Sequence, residues 1–321
     1  MKNYLQHFSI SMLILTGLVT SCSSTPLEES MEINEVKGYS LTAKVASYSL
    51  SNWMGALDEN LKLTAFTIPG THDSGARYED FSGTAKCQNL SISEQLNTGI
   101  RFLDIRGRHY KNAFEIHHGV KYQKINFTDV LNSCKTFLTQ NPSETIIMSL
   151  KEEHTPEGNT RSYEATFDNY VQQFPGLFSL GNTIPTLKSV KGKIVLLRRF
   201  PATTNNKGID ATNWTDNAVF NFGSYAKVQD QYKVPDNNAK WNLINSLANE
   251  AKTANGTKLY LNFCSGYKPG VFGIPSIPTV SNFINPKLTT YFTTNTSGHF
   301  GVIIMDFAEV GRNNLIVKTN F

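Results

Sequence analysis

Seven apolar runs of this sequence carry, at or just beyond their C-terminal ends, a side chain that could do chemistry: His72 and Asp73, Arg106, His118, Lys151, Arg199, Asp230 and Asp306. Imidazoles exchange protons near neutral pH, guanidinium and ammonium groups grip anions, and carboxylates orient and charge an imidazole. Taken singly, each residue has an ordinary structural role, such as a histidine closing a strand or an arginine paired with a carboxylate. Gathered at one rim, two histidines, three cations and several carboxylates could hold an anion and move a proton on either side of it.

That gathering depends on the elements that bear them. The runs lie at residues 63–69, 100–106, 114–118, 145–151, 193–199, 226–230, 259–263 and 302–306, and several of the intervals between them have helical spacing. Eight such runs predict an α/β fold, a single-domain (β/α)8 TIM-type barrel whose active face lies at the C-terminal strand ends. Ser91 with Glu94 is a capping-box pair, and Gly99 stands where a helix would end. Residues 240–252 place Trp241, Ile244, Leu247, Ala248 and Ala251 on one stripe, as in a helix packed on a barrel. Residues 201–224 are long and rich in Asn, Thr and Gly, so the barrel is expected to be irregular, with some outer helices missing. Alternation puts Asp104 and Arg106 on one side of their strand and Ile105 on the other, and separates His118 from His117. Periodicity alone does not say which side faces inward.

Composition narrows the class. The 321 residues are 40% hydrophobic and 17% charged, enough apolar material for a sizeable core and too little charge for a disordered chain. A net charge of +4 is too balanced to indicate nucleic acid. Residues 1–21 read as an export signal, with Lys2 ahead of an apolar run, and Val19-Thr20-Ser21-Cys22 resembles a lipobox. Cys22 is therefore expected to be a lipidated mature N-terminus on a bacterial membrane, periplasmic or surface-facing; without the lipid the protein would be secreted. Residues 22–47 would be a polar tether and 48–321 the barrel. Of the other cysteines, Cys134 reads as buried on a helix, and a Cys87–Cys134 disulfide is open in an oxidising compartment.

The stretches Ile68-Pro69-Gly70-Thr71-His72-Asp73-Ser74-Gly75, Asp104-Ile105-Arg106-Gly107-Arg108, His117-His118-Gly119, residues 141–151, residues 192–199 and Val228-Gln229-Asp230-Gln231-Tyr232 together resemble bacterial phosphatidylinositol-specific phospholipase C. The resemblance runs from about Trp53 to the C-terminus. It implies an incomplete (β/α)8 barrel that cleaves phosphatidylinositol, or glycosyl-phosphatidylinositol anchors, to inositol 1,2-cyclic phosphate and diacylglycerol. His72 would be the general base, charged by Asp306, and His118 the general acid, partnered by Asp73. Arg106 would grip the phosphate, and Lys151, Arg199, Asp230 and Tyr232 would hold the inositol. Arg106 stands where relatives place a calcium-binding carboxylate, which implies no metal and no cofactor. The partner would be a phosphatidylinositol-containing membrane surface, met by a monomer. Residues 267–280, with Val271, Phe272, Ile274 and Ile277, are the candidate lipid-facing loop, whereas residues 77–90 are polar and lack the tryptophan of some relatives. Two other readings compete: a metal-dependent glycerophosphodiester phosphodiesterase, and a non-catalytic lipoprotein that binds inositol glycolipids.

Overall fold

A computed structural model describes residues 48–204, 206–270 and 273–321. The expected signal, the tether, Lys2 and Cys22 lie outside the described residues. The strands are β1 (Ile68–Thr71), β2 (Phe102–Tyr110), β3 (Ala113–His118), β4 (Lys121–Asn126), β5 (Ile146–Glu152), β6 (Phe178–Ser179), β7 (Ile194–Arg199), β8 (Ile209–Asp210), β9 (Val219–Phe222), β10 (Ala226–Gln229), β11 (Leu259–Phe263), β12 (Lys268–Pro269), β13 (Pro275–Ser276) and β14 (Val302–Met305). The helices are α1 (Ile92–Asn97), α2 (Phe127–Gln140), α3 (Tyr163–Gln173), α4 (Leu187–Val190), α5 (Asn237–Ala254), α6 (Ile277–Thr294) and α7 (Val310–Lys318).

Seven strands run parallel as neighbours in the order β7-β5-β2-β1-β14-β11-β10. The eighth position is filled only by the two-residue β6 and β8, both parallel to the free edge of β7, while β9 lies antiparallel on β10. Among the described residues no ladder joins β8 to β9, so the TIM-type barrel is open along one seam. Among the described residues no helix lies between β7 and β10, as the unpatterned residues 201–224 foretold.

Alternation divides the core in two. Ile68, Phe102, Ile147, Val195, Leu197, Val228, Leu261, Val302 and Ile304 meet inside the barrel. Leu103, Ile105, Met148, Leu150, Leu196, Ile303 and Met305 face the helices instead. Gly70 is required by this interior, because a Cβ there would lie 2.9 Å from the Cβ of Phe102.

Three expectations are corrected, and one buried residue is unforeseen. Residues 63–65 form a 3-10 turn, and the first strand begins only at Ile68. The 114–118 run is not a barrel stave: β3 pairs antiparallel with β2, as part of a β2-β3-β4 meander. A period of two is the same in either orientation, so the sequence could not tell them apart. On α5 Lys240 is unexpectedly buried with Ile244, Leu247, Ala248 and Ala251, while Trp241 packs half-buried against the core as expected. The Lys240 Nζ donates to Gln229 Oε1 at 2.9 Å and to the Gln231 carbonyl at 2.8 Å, and burial pulls its pKa to about 8. Finally, Cys87 and Cys134 are both buried free thiols; Cys134 belongs to the core around α2, whereas Cys87 packs with Ala76 and Ile277.

The closed end of the barrel is tied by a buried ion pair. Arg101 Nη2 lies 2.8 Å from Glu144 Oε2, with neither side chain exposed. Glu144 also accepts from the backbone N–H groups of Met54 and Gly55, and Arg101 donates to four carbonyls. Glu144→Ala leaves that guanidinium buried without its counter-charge, so denaturant unfolding should register a loss of about 3–5 kcal/mol.

Candidate active site

The inward parity that is apolar in the barrel's depth turns polar at its mouth. Phe102 is followed on its own side by Asp104 and Arg106, Ile147 by Ser149 and Lys151, Leu197 by Arg199, Val228 by Asp230, and Ile304 by Asp306. Gly70 is followed in the same way by His72. Parallel strands bring these ends to one face, where a cavity of about 380 Å³ is lined by His72, Arg106, His118, Lys151, Arg199, Asp230 and Tyr232. Asp73 and Asp306 are buried behind it.

His72 follows β1 and Asp306 follows β14, two paired strands, and His72 Nδ1 lies 2.8 Å from Asp306 Oδ1. Gln88 clamps the junction by donating to the His72 and Met305 carbonyls, both at 2.8 Å. With Nδ1–H given to Asp306, Nε2 keeps its lone pair and accepts from Arg106 Nη2 at 2.8 Å. Burial works to lower the His72 pKa and Arg106 adds to that, but the charge and hydrogen bond of Asp306, with Asp104 beyond, hold it above its usual value. Arg106 is in turn gripped by Asp104 Oδ2, 3.2 Å from Nη2, with Asp73 Oδ2 3.6 Å from Nε. Burial opposes the charge on Arg106, and these two carboxylates restore it.

His118 reaches the mouth by an unexpected route. β2 continues four residues past Arg106 before the chain turns back, and the pairing of Gly107 with Ile116 returns His118 to the level of Arg106. Its partner also differs from expectation. Nδ1 lies 2.6 Å from the Ala85 carbonyl, whereas Asp73 Oδ2 is 3.9 Å away and makes no hydrogen bond to it. Asp73 thus contributes charge to His118, not orientation, and Ala85 holds the ring. The Asp73 backbone has a φ of 37°, a left-handed conformation that aspartate tolerates and that turns the chain after β1.

The opposite wall carries Arg199, Trp214, Asp230 and Tyr232. The Arg199 guanidinium stacks 3.7 Å from the centre of the Trp214 ring and lies 3.6 Å from Asp104 Oδ1. Trp214 Nε1 donates to Asp230 Oδ2 at 2.9 Å, and Tyr232 Oη donates to Asp216 Oδ1 at 2.7 Å. Lys151 Nζ lies 3.2 Å from Glu153 Oε2, and Glu153 accepts from Gly119 N. Burial would raise the Glu153 pKa, but Arg106 and Lys151 hold it low. Sequence reasoning missed Asp104, Glu153, Trp214 and Asp216 as site residues. The parity of Asp104 with Arg106 was a signal for the first; the rest sit on loops without periodicity.

Comparison with known proteins places this geometry. The family described as "Phosphatidylinositol-specific phospholipase C, X domain" matches residues 60–200. The 1-phosphatidylinositol phosphodiesterase of Staphylococcus aureus (strain Newman) is 36% identical over 281 residues, 82% of this chain and 89% of the relative. The chain belongs to the phosphatidylinositol-specific phospholipase C family. The 1-phosphatidylinositol phosphodiesterase of Listeria monocytogenes is 30% identical over 85% of this chain and 86% of its own. A solved variant of the S. aureus phosphatidylinositol-specific phospholipase C superposes with a TM-score of 0.77 at 33% identity, covering 85% of this chain and 98% of that one. The L. monocytogenes structure gives 0.72 at 29% identity, covering 85% and 100%. As a member of this family, the chain carries His72, Asp73, Arg106, His118, Lys151 and Arg199 inside the matched segment, with Asp230, Tyr232 and Asp306 beyond its C-terminal limit.

Proposed function

We propose that the protein cleaves phosphatidylinositol to inositol 1,2-cyclic phosphate and diacylglycerol without a metal ion. The observation that carries this is the junction at His72 Nε2, 2.8 Å from Arg106 Nη2, with Asp306 on the ring's other nitrogen. A base and a phosphate-directed cation there share one point in space. On substrate binding, Arg106 turns its fork to the phosphate oxygens and frees Nε2 to take the proton of the inositol 2-hydroxyl. The 2-oxygen then attacks the adjacent phosphorus within the same molecule, an arrangement already favoured by proximity. Asp306 stabilises the imidazolium so formed. The protonated His118, held through Nδ1 by Ala85, gives its Nε2 proton to the departing glycerol oxygen.

Arg106 already sits as a cation among Asp73, Asp104 and Glu153, and this supports the metal-free reading. Phosphorus NMR of purified chain with phosphatidylinositol vesicles and EDTA should show the cyclic phosphate accumulating. Absence of turnover until a divalent ion is restored would return the assignment to a metal-dependent phosphodiesterase.

The mouth of the cavity is the surface that meets lipid. Phe81, Val120 and Ile274 are 76%, 81% and 57% exposed and lie close in sequence to the cavity-lining Thr84, Gly119 and Gly273. Residues 77–90 therefore supply an apolar anchor, Phe81, despite their polar composition. Residues 267–280 are less open than expected: β12 pairs with β13, while Ile277 and Val280 are buried at the start of α6. Val271 and Phe272 lie outside the described residues. Burying a large apolar side chain is worth roughly 1.5–3 kcal/mol, so replacing Phe81, Val120 and Ile274 together by serine should weaken vesicle binding by about 100-fold or more. Turnover of a monomeric short-chain substrate should be unchanged. An equal loss on both substrates would remove the rim from the membrane contact. Attachment through lipid on Cys22 belongs to the same reading, and the mass of the mature N-terminus tests it.

A further inference from the structure

One group beside the two histidines has no part in this chemistry. Cys87 is fully buried, its Sγ 3.9 Å from His118 Nδ1, and burial pushes its thiol pKa well up, so it is no nucleophile. Asp73 is equally buried, and neither of its carboxylate oxygens has a hydrogen-bond partner among the described residues. A buried carboxylate that makes no hydrogen bond, balanced only by the Arg106 guanidinium at 3.6 Å, keeps its lone pairs free for a ligand.

We propose that Asp73, Cys87 and His118 form a zinc site beneath the cavity, and that Zn2+ bound there inhibits the enzyme. Their ligand atoms lie within 4.8 Å of one another, with Asp73 Oδ2 and Cys87 Sγ each 3.9 Å from His118 Nδ1. Tetrahedral zinc, with bonds of about 2.3 Å to sulfur and about 2.0 Å to nitrogen and oxygen, spaces its donors roughly 3.3–3.5 Å apart. The two distances to His118 need to shorten by about half an ångström and the Asp73–Cys87 separation closes from within 4.8 Å, while the His118 ring turns from Ala85 toward Asp73. A thiolate, an imidazole and one carboxylate suit zinc and not calcium or magnesium, which prefer oxygen alone. Cys87, His72 and Asp306 are also close together, but the Asp306 oxygens are already spent on His72 Nδ1 and the Gly266 N–H.

On binding, the Cys87 S–H proton passes to buffer as the sulfur–zinc bond forms. The thiolate and the Asp73 carboxylate then neutralise the ion's two charges. Arg106, 3.6 Å from Asp73, opposes the cation and makes the site weaker than a structural one. The fourth zinc position is left for water or a phosphate oxygen. A His118 ring ligated through Nδ1 no longer becomes an imidazolium, so the proton for the leaving group is lost. Inhibition therefore rests on the proposed role of His118, whereas binding does not.

The test uses the tag-free full-length chain. Without substrate, calorimetric titration with Zn2+ should show one ion per chain. Co2+ should give a near-ultraviolet thiolate charge-transfer band that Zn2+ abolishes. Cys87→Ser should remove the band and weaken Zn2+ binding by at least about 10- to 100-fold. In EDTA its turnover should match that of the native chain, and half-inhibition should need correspondingly more Zn2+. If that variant does not fold, Cys87→Ala replaces it, and the cobalt band of the native chain decides alone. A native chain without the band, or equal zinc affinity in the variant, overturns the site. Cys87-dependent binding with unaltered turnover overturns the inhibition, and through it the acid role of His118, while leaving the base at His72 untouched.

Discussion

Replacing His118 by alanine should lower cleavage of phosphatidylinositol by about 100- to 10,000-fold, the usual worth of a positioned proton donor. The loss should nearly vanish for an inositol phosphodiester whose leaving group is p-nitrophenolate, because that anion departs without a proton. The asymmetry follows from position. His118 comes to the mouth on the returning arm of the meander, while His72, Arg106 and Asp306 stand at the ends of β1 and β14 and on β2, which in the proposed function puts them on the other side of the phosphate. The Ala85 carbonyl and the Cys87 thiol lose a partner in the variant, but the half-exposed loop that bears Ala85 can find water and Cys87 Sγ keeps the Ala85 carbonyl at 3.8 Å, so folding should survive. Equal losses on both substrates would show that His118 does not supply the proton.

Asp306→Asn should be the second large effect, by about 1,000- to 10,000-fold. The Gly266 N–H points at one Asp306 oxygen, at 3.3 Å, and the other faces His72 Nδ1. An asparagine keeps its oxygen toward Gly266 and so presents its NH2 to Nδ1. That donor forces the imidazole proton onto Nε2, where the base must be empty. The pH profile supplies an independent check. The base works only when neutral, so activity falls as pH drops through the His72 pKa, which Asp306 holds up against burial. Without that negative charge the pKa drops, and the acidic limb of kcat/KM should move to lower pH. A limb that stays in place belongs to some other group.

Much of this site could be read before any coordinates, because one physical rule wrote it. On β2, β5, β7, β10 and β14 the interior parity is apolar below and charged above. Position at the ends of apolar runs therefore marked Arg106, Lys151, Arg199, Asp230 and Asp306, while the inward parity became visible only in the structure. The rule is blind to strand direction, and so it made β3 a barrel stave when it is a meander strand, although His118 does line the cavity. It is also blind to loops. Trp214, which covers Arg199 and holds Asp230, lies in residues 201–224, where nothing recurs. Asp73 was matched to His118 by resemblance, yet a backbone carbonyl holds that ring, and backbone partners leave no trace in residue types. Nor does sequence distinguish a snorkelling lysine from one sealed in the core, as Lys240 is.

The seam between β8 and β9 bears on how such a protein can change. β1, with β2 and β14 beside it, sits halfway round the ring from the break, whereas Trp214 lies in the chain that spans it. A stave missing at that point lets residues 201–224 lengthen, shorten or change their ring-stacking side chains without altering any ladder that sets His72 against Arg106. On the proposed function, preference among differently decorated inositols can thus drift on one side of the molecule while the proposed bond-breaking groups on the other are held still.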